Sequence, residues 1–375
     1  MTFNTIELLS IFSVFLFLFF AGYLLSLKTN KKLSNLLFAV YLIVIALDLT
    51  AFFYPKFITL SYTAEMLRME VLAGLKSPIL YLYILSVLYD NFKLKTKYIL
   101  FFVPLFINLV VLFPAFFNIN IHQQKLFFEN YSDQPAVLFT TFFGYAVGYT
   151  FLFLEVYQVI RYRNIVKQNY SNSNALINYT WLKQFLIIDI IIATITFAKS
   201  IQRHTYNNID TMDNLRIIML LLSVAFISWL FSKALFAPKI FQGIEASLFP
   251  IKEKINRIED PRIEKINQFM QDEEPYLDAS LTLQKLANHL NIPSRELSVL
   301  INQHMSKHFF DFVNEYRIKK AMKILRDTSF KKNTIQEIMY DVGFNSKTPF
   351  NTAFKKQTNL TPSQYRKTAK NQLLA

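Results

Sequence analysis

Few residues in this 375-residue chain have types and spacing that could carry chemistry of their own. Cysteine is absent, which excludes disulfides and thiolate metal sites. Among five histidines, His304 and His308 stand at i,i+4, a spacing that can hold a metal ion on a helix. No third ligand lies near them, and they fall at a helix end and a loop, so they read as turn histidines. Asp311 and Glu315 share that spacing, and a solvated helix face explains them better than acid–base catalysis. No nucleotide loop, nucleophile motif or clustered metal ligands occur, so no catalytic residue, metal or cofactor is expected. A different group is unusual by context. Asp48, Glu70, Lys76, Asp189 and Lys199 each interrupt a long apolar stretch. A charge in hydrocarbon is costly and usually faces a bundle interior. Two readings stand: a polar, outward-facing pocket for a small-molecule signal, or pairing between helices, Lys76 with Asp48 or Asp189, while Lys199 snorkels.

Those stretches must be positioned by membrane-length elements. Hydrophobic residues make up 53% and charged residues 18%, against about 25% in a soluble domain, which excludes a wholly soluble protein. A span needs about 20 mostly apolar residues. Seven stretches qualify: 6–27, 33–53, 71–89, 98–117, 136–160, 182–201 and 215–236. A cleaved leader is a poor reading of the first, since no Lys or Arg precedes a long apolar run. Lys28, Lys31, Lys32, Lys93, Lys95, Lys97, Arg161, Arg163 and Lys167 fall in one alternate set of loops; Lys56, Lys125 and Arg203 fall in the other. This bias puts the N-terminus outside and the C-terminus in the cytosol of a bacterial inner membrane. The outside loop 118–135 reads as a connector.

Residues 1–237 thus form a transmembrane domain and 238–275 a linker. In the linker Ile244, Leu248, Ile251, Ile255 and Ile258 step 4, 3, 4, 3. Pro250 and Pro261 leave fewer than two heptads, so a short amphipathic helix is favoured and a dimer-forming coil is the alternative.

Residues 276–375 are helical in pattern and basic. Residues 280–375 hold 16 Lys+Arg and 6 Asp+Glu, a balance of +10 out of +14 for the chain. Such a domain suits nucleic acid. Helices are predicted near 262–272, 283–289, 294–303, 309–327, 335–341, 347–357 and 362–369. Thr334 with Glu337 and Thr361 with Gln364 have capping-box spacing. Two segments have helix-turn-helix form. In the first, Leu283, Leu286, Ala287 and Leu290 make one buried face ahead of a helix from Ser294. In the second, Ile335, Ile338, Phe350 and Phe354 make the core around Gly343. A helix of nineteen residues between them would span about 28 Å. Two readers on one DNA face sit about 34 Å apart, so a helix of this length could hold two at roughly that spacing.

The stretch Gly343-Phe344-Asn345-Ser346-Lys347-Thr348-Pro349-Phe350, continuing through Phe354-Lys355-Lys356 to Thr361-Pro362-Ser363-Gln364-Tyr365-Arg366, resembles the signature of AraC/XylS-type transcription regulators. Leu286-Ala287, Leu297-Ser298, Phe312, Tyr316-Arg317 and Ala321 fall where that family has similar residues. The resemblance covers about 280–370 and does not extend to the apolar part. It implies a seven-helix domain with two DNA readers. By position, Arg295, Ser298 and Val299 match the base-facing places of the first reader; Lys347, Thr348, Asn351 and Thr352 match those of the second. Lys347 can donate to guanine, Asn351 can pair with adenine and threonine methyls can touch thymine. Lys355, Lys356 and Arg366 suit phosphates, which fix register. Val299 and Thr352 stand where many members carry a base-reading Arg, implying more apolar readout. Ser306 and Asn359 replace the family's usual glycines at two turns.

The sequence reading is therefore all-α: a seven-helix transmembrane bundle joined to an AraC-type domain. It is expected to be a membrane-anchored, sequence-specific DNA-binding regulator and not an enzyme. Its expected partners are double-stranded DNA, membrane lipid, a small-molecule signal and, through the linker, a second copy. Two rivals remain: a transporter or receptor with a regulatory helical domain, and a regulator released by proteolysis.

Overall fold

Among the described residues, seven helices are long and apolar enough to cross a membrane by length and composition: Thr5–Ser26, Lys32–Phe52, Tyr62–Leu88, Thr96–Phe117, Pro135–Asn169, Tyr179–Thr205 and Thr211–Lys233. They coincide with the seven stretches read from hydropathy, but several run further. Pro135–Asn169 carries on through Arg161, Arg163 and Lys167, because neither Gly nor Pro follows Gly148 to stop it. The computed structural model describes residues 2–27, 32–89, 92–171, 177–205, 209–236, 260–327 and 333–372, and among these it is helical without strands.

The chain divides into two units. One comprises Met1–Val159 and Thr180–Glu245, the other Ile160–Tyr179 and Ala246–Ala375. This departs from the boundaries drawn on composition, which left 160–179 with the apolar part. In the first unit, α1 (Thr5–Ser26) packs on α2 (Lys32–Leu49) and on α8 (Ile209–Phe236), and α2 packs on α3 (Tyr62–Leu88). Buried polar groups tie these helices: Ser10 donates to the Leu49 carbonyl at 2.6 Å and Ser34 to that of Ser86 at 3.1 Å. Next come α4 (Val103–Leu112), α5 (Ile121–Glu129), α6 (Pro135–Asn169) and α7 (Ile177–Thr205). Loop 118–135 is more than a connector: Asn120 and Gln123 form a capping box that starts α5.

The second unit holds α9 (Arg262–Asp272), α10 (Leu283–Leu290), α11 (Ser294–Val299), α12 (Phe309–Arg326), α13 (Ile335–Asp341), α14 (Lys347–Thr358) and α15 (Pro362–Gln372). α12 serves two cores. Its first half, through Phe309, Phe312 and Val313, packs with Leu286, Ala287 and Leu297. Its second half, through Ile318, Ala321 and Leu325, packs with Ile338, Phe350 and Phe354. Eighteen residues of helix make α12 about 27 Å long. The predicted helix 294–303 is shorter: after Val299 the backbone widens into a π turn, Leu300–His304. Ser306 and Asn359, at the two places where the family has glycine, both adopt the left-handed conformation, with φ of 54° and 58°. The turn geometry is kept without the glycines. The linker residues Ile244, Leu248, Ile251, Ile255 and Ile258 lie outside the described residues.

Candidate nucleic-acid interface

The first reader is α10, a left-handed Asn291 that ends it, and α11. Thr282 caps α10 by accepting the Lys285 N–H. At the start of α11, Arg295 and Glu296 are exposed, and Arg262 of α9 bonds Glu296 at 2.7 Å. The same guanidinium holds the Asp260 carboxyl down at about 2. The other two family-matched positions are placed differently from the expectation. Ser298 is 2% exposed and Val299 8%. Asn302 donates to the Ser298 carbonyl at 2.8 Å and to its hydroxyl at 3.0 Å, and the Asn302 side-chain oxygen lies 3.2 Å from His308 Nδ1. In this arrangement Ser298 and Val299 do not present themselves to a base edge.

The second reader is open. α13 begins at a full capping box, with the Thr334 N–H donating to Glu337 at 2.6 Å and the Glu337 N–H to Thr334 at 3.1 Å. The backbone bonds to Thr334 hold the Glu337 carboxyl below its ordinary range. The turn into α14 needs Gly343. Its φ is +87°, and a Cβ would meet the Tyr276 and Leu277 carbonyls at 2.6 and 2.8 Å. Phe350 and Phe354 face inward, and on the far side Lys347, Thr348, Asn351 and Thr352 are all exposed. Thr352 donates back to the Thr348 carbonyl, which leaves its methyl free for an apolar contact. Lys355 is exposed; Lys356 is exposed but bonds Asp311 at 3.0 Å, and Arg366 is half-buried. Glu315 pairs with Lys307 and Lys319, so Asp311 and Glu315 are ion-pair partners on a solvated face. Among the described residues no cluster could hold a metal ion.

Sequence reasoning gave Arg317 only as a family-like position. It is 0% exposed and lies along α12 between the two core clusters. Its Nε donates to the Tyr276 carbonyl at 2.7 Å and Nη2 to that of Asp278 at 2.9 Å. Nη1 donates to the Ser171 carbonyl at 3.0 Å and Nη2 to the Ser171 hydroxyl at 3.2 Å. The charge also sits 5.5 Å from the centre of the Phe344 ring, beside Gly343. Burial pulls the guanidinium down to about 10, so it stays charged at neutral pH.

In the first unit the five ionisable residues do not converge on one point. Lys76 bonds Asp48 at 2.6 Å, the pairing named as the alternative to a pocket. Lys199 and Arg68 lie within electrostatic reach of Asp48. Glu70 accepts from Asn108 at 3.0 Å. Asp189 lies near Glu155 and Tyr41 instead. Glu155, 1% exposed, was missed by sequence reasoning although it stands alone in the fifth apolar stretch.

Two helix-turn-helix units stand on one central helix, and the second carries an exposed basic face. A family model described as "Helix-turn-helix domain" matches residues 286–368, and this part of the chain is an AraC-type helix-turn-helix domain. The chain is 36% identical over 90 residues to an uncharacterized HTH-type transcriptional regulator of Pseudoalteromonas carrageenovora, covering 22% of this chain and 51% of that protein. It is 41% identical over 56 residues to the HTH-type transcriptional regulator MtrA of Neisseria gonorrhoeae, covering 15% and 18%. The C-terminal domain of AraT, a response regulator from Geobacillus stearothermophilus, matches at 32% identity over 29% of this chain and 86% of that one, with a TM-score of 0.26. The chain spans about half the length, or less, of these curated relatives. They are named as transcriptional regulators, a non-enzymatic class, and the part of this chain that matches them is a helix-turn-helix domain.

Proposed function

We propose that this protein is a membrane-anchored transcription regulator that reads promoter DNA in the bacterial cytosol while tethered, and that a signal arriving at the membrane or outside changes that reading. The observation that carries this is the presence, in one chain, of seven helices of spanning length and an AraC-type domain. The basic loops that predict a cytosolic C-terminus support it. Sequence readout falls to Arg295, Ser298, Val299, Lys347, Thr348, Asn351 and Thr352, and phosphate contact to Lys355, Lys356 and Arg366. The signal would act on the polar side chains of the apolar unit: the Asp48–Lys76 pair with Lys199, and separately Glu70 and Asp189.

The test is promoter occupancy in cells. Formaldehyde cross-linking followed by membrane fractionation should recover DNA with the full-length chain in the membrane fraction. DNA recovered only with a soluble fragment of about 14 kDa, the mass of a unit of domain size, would replace tethered reading with proteolytic release. Neutralising Lys76 or Asp189 should abolish signal response but not insertion. A normal response in both variants would remove the proposed signal site.

A further inference from the structure

Two base-facing positions of the first reader are buried. Val299 is 8% exposed, yet it stands apart from the residues that pack α10 on α11 and α12. Ser298 beside it is 2% exposed. One other segment folds with this unit: residues 160–179, whose first ten residues are the C-terminal end of α6. That end is amphipathic. Tyr162, Ile165 and Val166 lie on one helical face and are at most 1% exposed, while Arg163 and Asn164 are exposed.

The segment has a fixed end. Ser171 donates its N–H to the Leu281 carbonyl at 3.3 Å and its hydroxyl to the same carbonyl at 2.6 Å, and it accepts two bonds from Arg317. Tyr170 pairs with Thr282, the cap of α10, as an antiparallel bridge. Further back, Lys167 and Arg163 lie close enough to act on the charge of His308, whose ring contacts Asn302, which in turn holds Ser298. The segment therefore runs from the neighbourhood of His308, which contacts Asn302, the partner of Ser298, to Arg317.

We propose that residues 160–171 are a built-in cover for the first reader: docked through Ser171 on Arg317, they withhold Ser298 and Val299 from DNA, and their withdrawal opens the reader. The inference deepens the function proposed above and rests on it. It assigns regulation to the continuation of the fifth apolar helix, not to the linker 238–275. A helix that carries both the apolar stretch and the cover can pass a displacement to the reader without another element.

The chain has no cysteine, so an engineered pair has no background. Directly opposed residues in an antiparallel bridge have Cβ atoms about 4.5–5.5 Å apart, near the range of a disulfide. The Tyr170→Cys/Thr282→Cys full-length chain, in lipid nanodiscs, should form the disulfide on mild oxidation; neither single variant should. Binding is then measured to a random-sequence duplex library at ~50 mM salt. The oxidised form should bind about tenfold more weakly than the reduced form, within the usual range of coupling between sites, and reduction should restore binding. Val166→Asp, which unseats the segment without touching either reader, should tighten binding. Failure to cross-link in folded protein would overturn the docking. A cross-linked form that binds as tightly as the reduced one, or an unchanged Val166→Asp affinity, would overturn the cover. Absence of DNA binding in every form, with the disulfide made, would overturn promoter reading itself and this inference with it.

Discussion

The two recognition helices are built alike and meet solvent differently. α14 presents Lys347, Thr348, Asn351 and Thr352 outward, whereas α11 presents Arg295 but keeps Ser298 and Val299 inside. Both are positioned by the same device, an inward apolar face packed on α12 after a left-handed turn residue, Asn291 in one and Gly343 in the other. Part of the difference lies in the first unit, where the π turn after Val299 brings Asn302 onto Ser298. On the cover proposed above, the docked segment 160–171 adds to it and makes the readers separable: one available as folded, one conditional.

The largest effect should come from removing what holds both readers on one frame. Arg317→Met leaves the Tyr276, Asp278 and Ser171 carbonyls without their donor at a buried site. Each lost partner costs roughly 1–3 kcal/mol, so the C-terminal unit should lose at least about 3 kcal/mol, read as an earlier unfolding transition of the full chain in denaturant. An unchanged transition would mean that water replaces the guanidinium. Next in size, Asn351→Ala should cost about 1–3 kcal/mol of binding and relax preference at one base. Val299→Ala should do little in the same assay until the cover is unseated. Equal losses from the two substitutions in the docked chain would erase the asymmetry.

Smaller again, Lys355→Ala should weaken binding to all sequences alike and lower the salt slope by about 1. A loss confined to one sequence would move Lys355 from phosphate to base contact. The smallest effect is one of pH. Burial, then Lys167, Arg163 and Lys356 against an opposing Asp311, lowers His308 below its ordinary 6.5. The unfolded chain then takes up this proton first, so stability present above pH 6.5 falls as pH drops below it. His308→Gln should flatten that slope; an identical slope in the variant would place the titration elsewhere.

How much of this was legible follows from how local each signal is. Helix ends at Thr334–Glu337 and Thr361–Gln364 were readable because a cap is satisfied within three residues, and both boxes are made. The seven apolar helices were readable because length and hydropathy decide spanning competence. The burial of Ser298 and Val299 was not, since a π turn after Val299, which brings Asn302 onto Ser298, leaves no periodic signal. Nor was the partner of Arg317: Ser171 lies 146 residues distant and has no periodic or motif signal. The length of the helix that carries the fifth span was not legible, because a helix does not stop where hydrophobicity does; α6 runs on to Asn169. Glu155 was passed over as one acid in an apolar run, although such residues are the costly ones.

On this reading one chain spans two adjacent major grooves. That is tested most directly by selecting duplexes from a random library on the full-length protein in nanodiscs, then measuring binding at 50 and 200 mM salt. A bipartite site with half-sites about one helical turn apart, read more sharply in the half facing α14 and losing affinity steeply with salt, is the predicted result. A single undivided site, or binding at low salt without sequence preference, would contradict it.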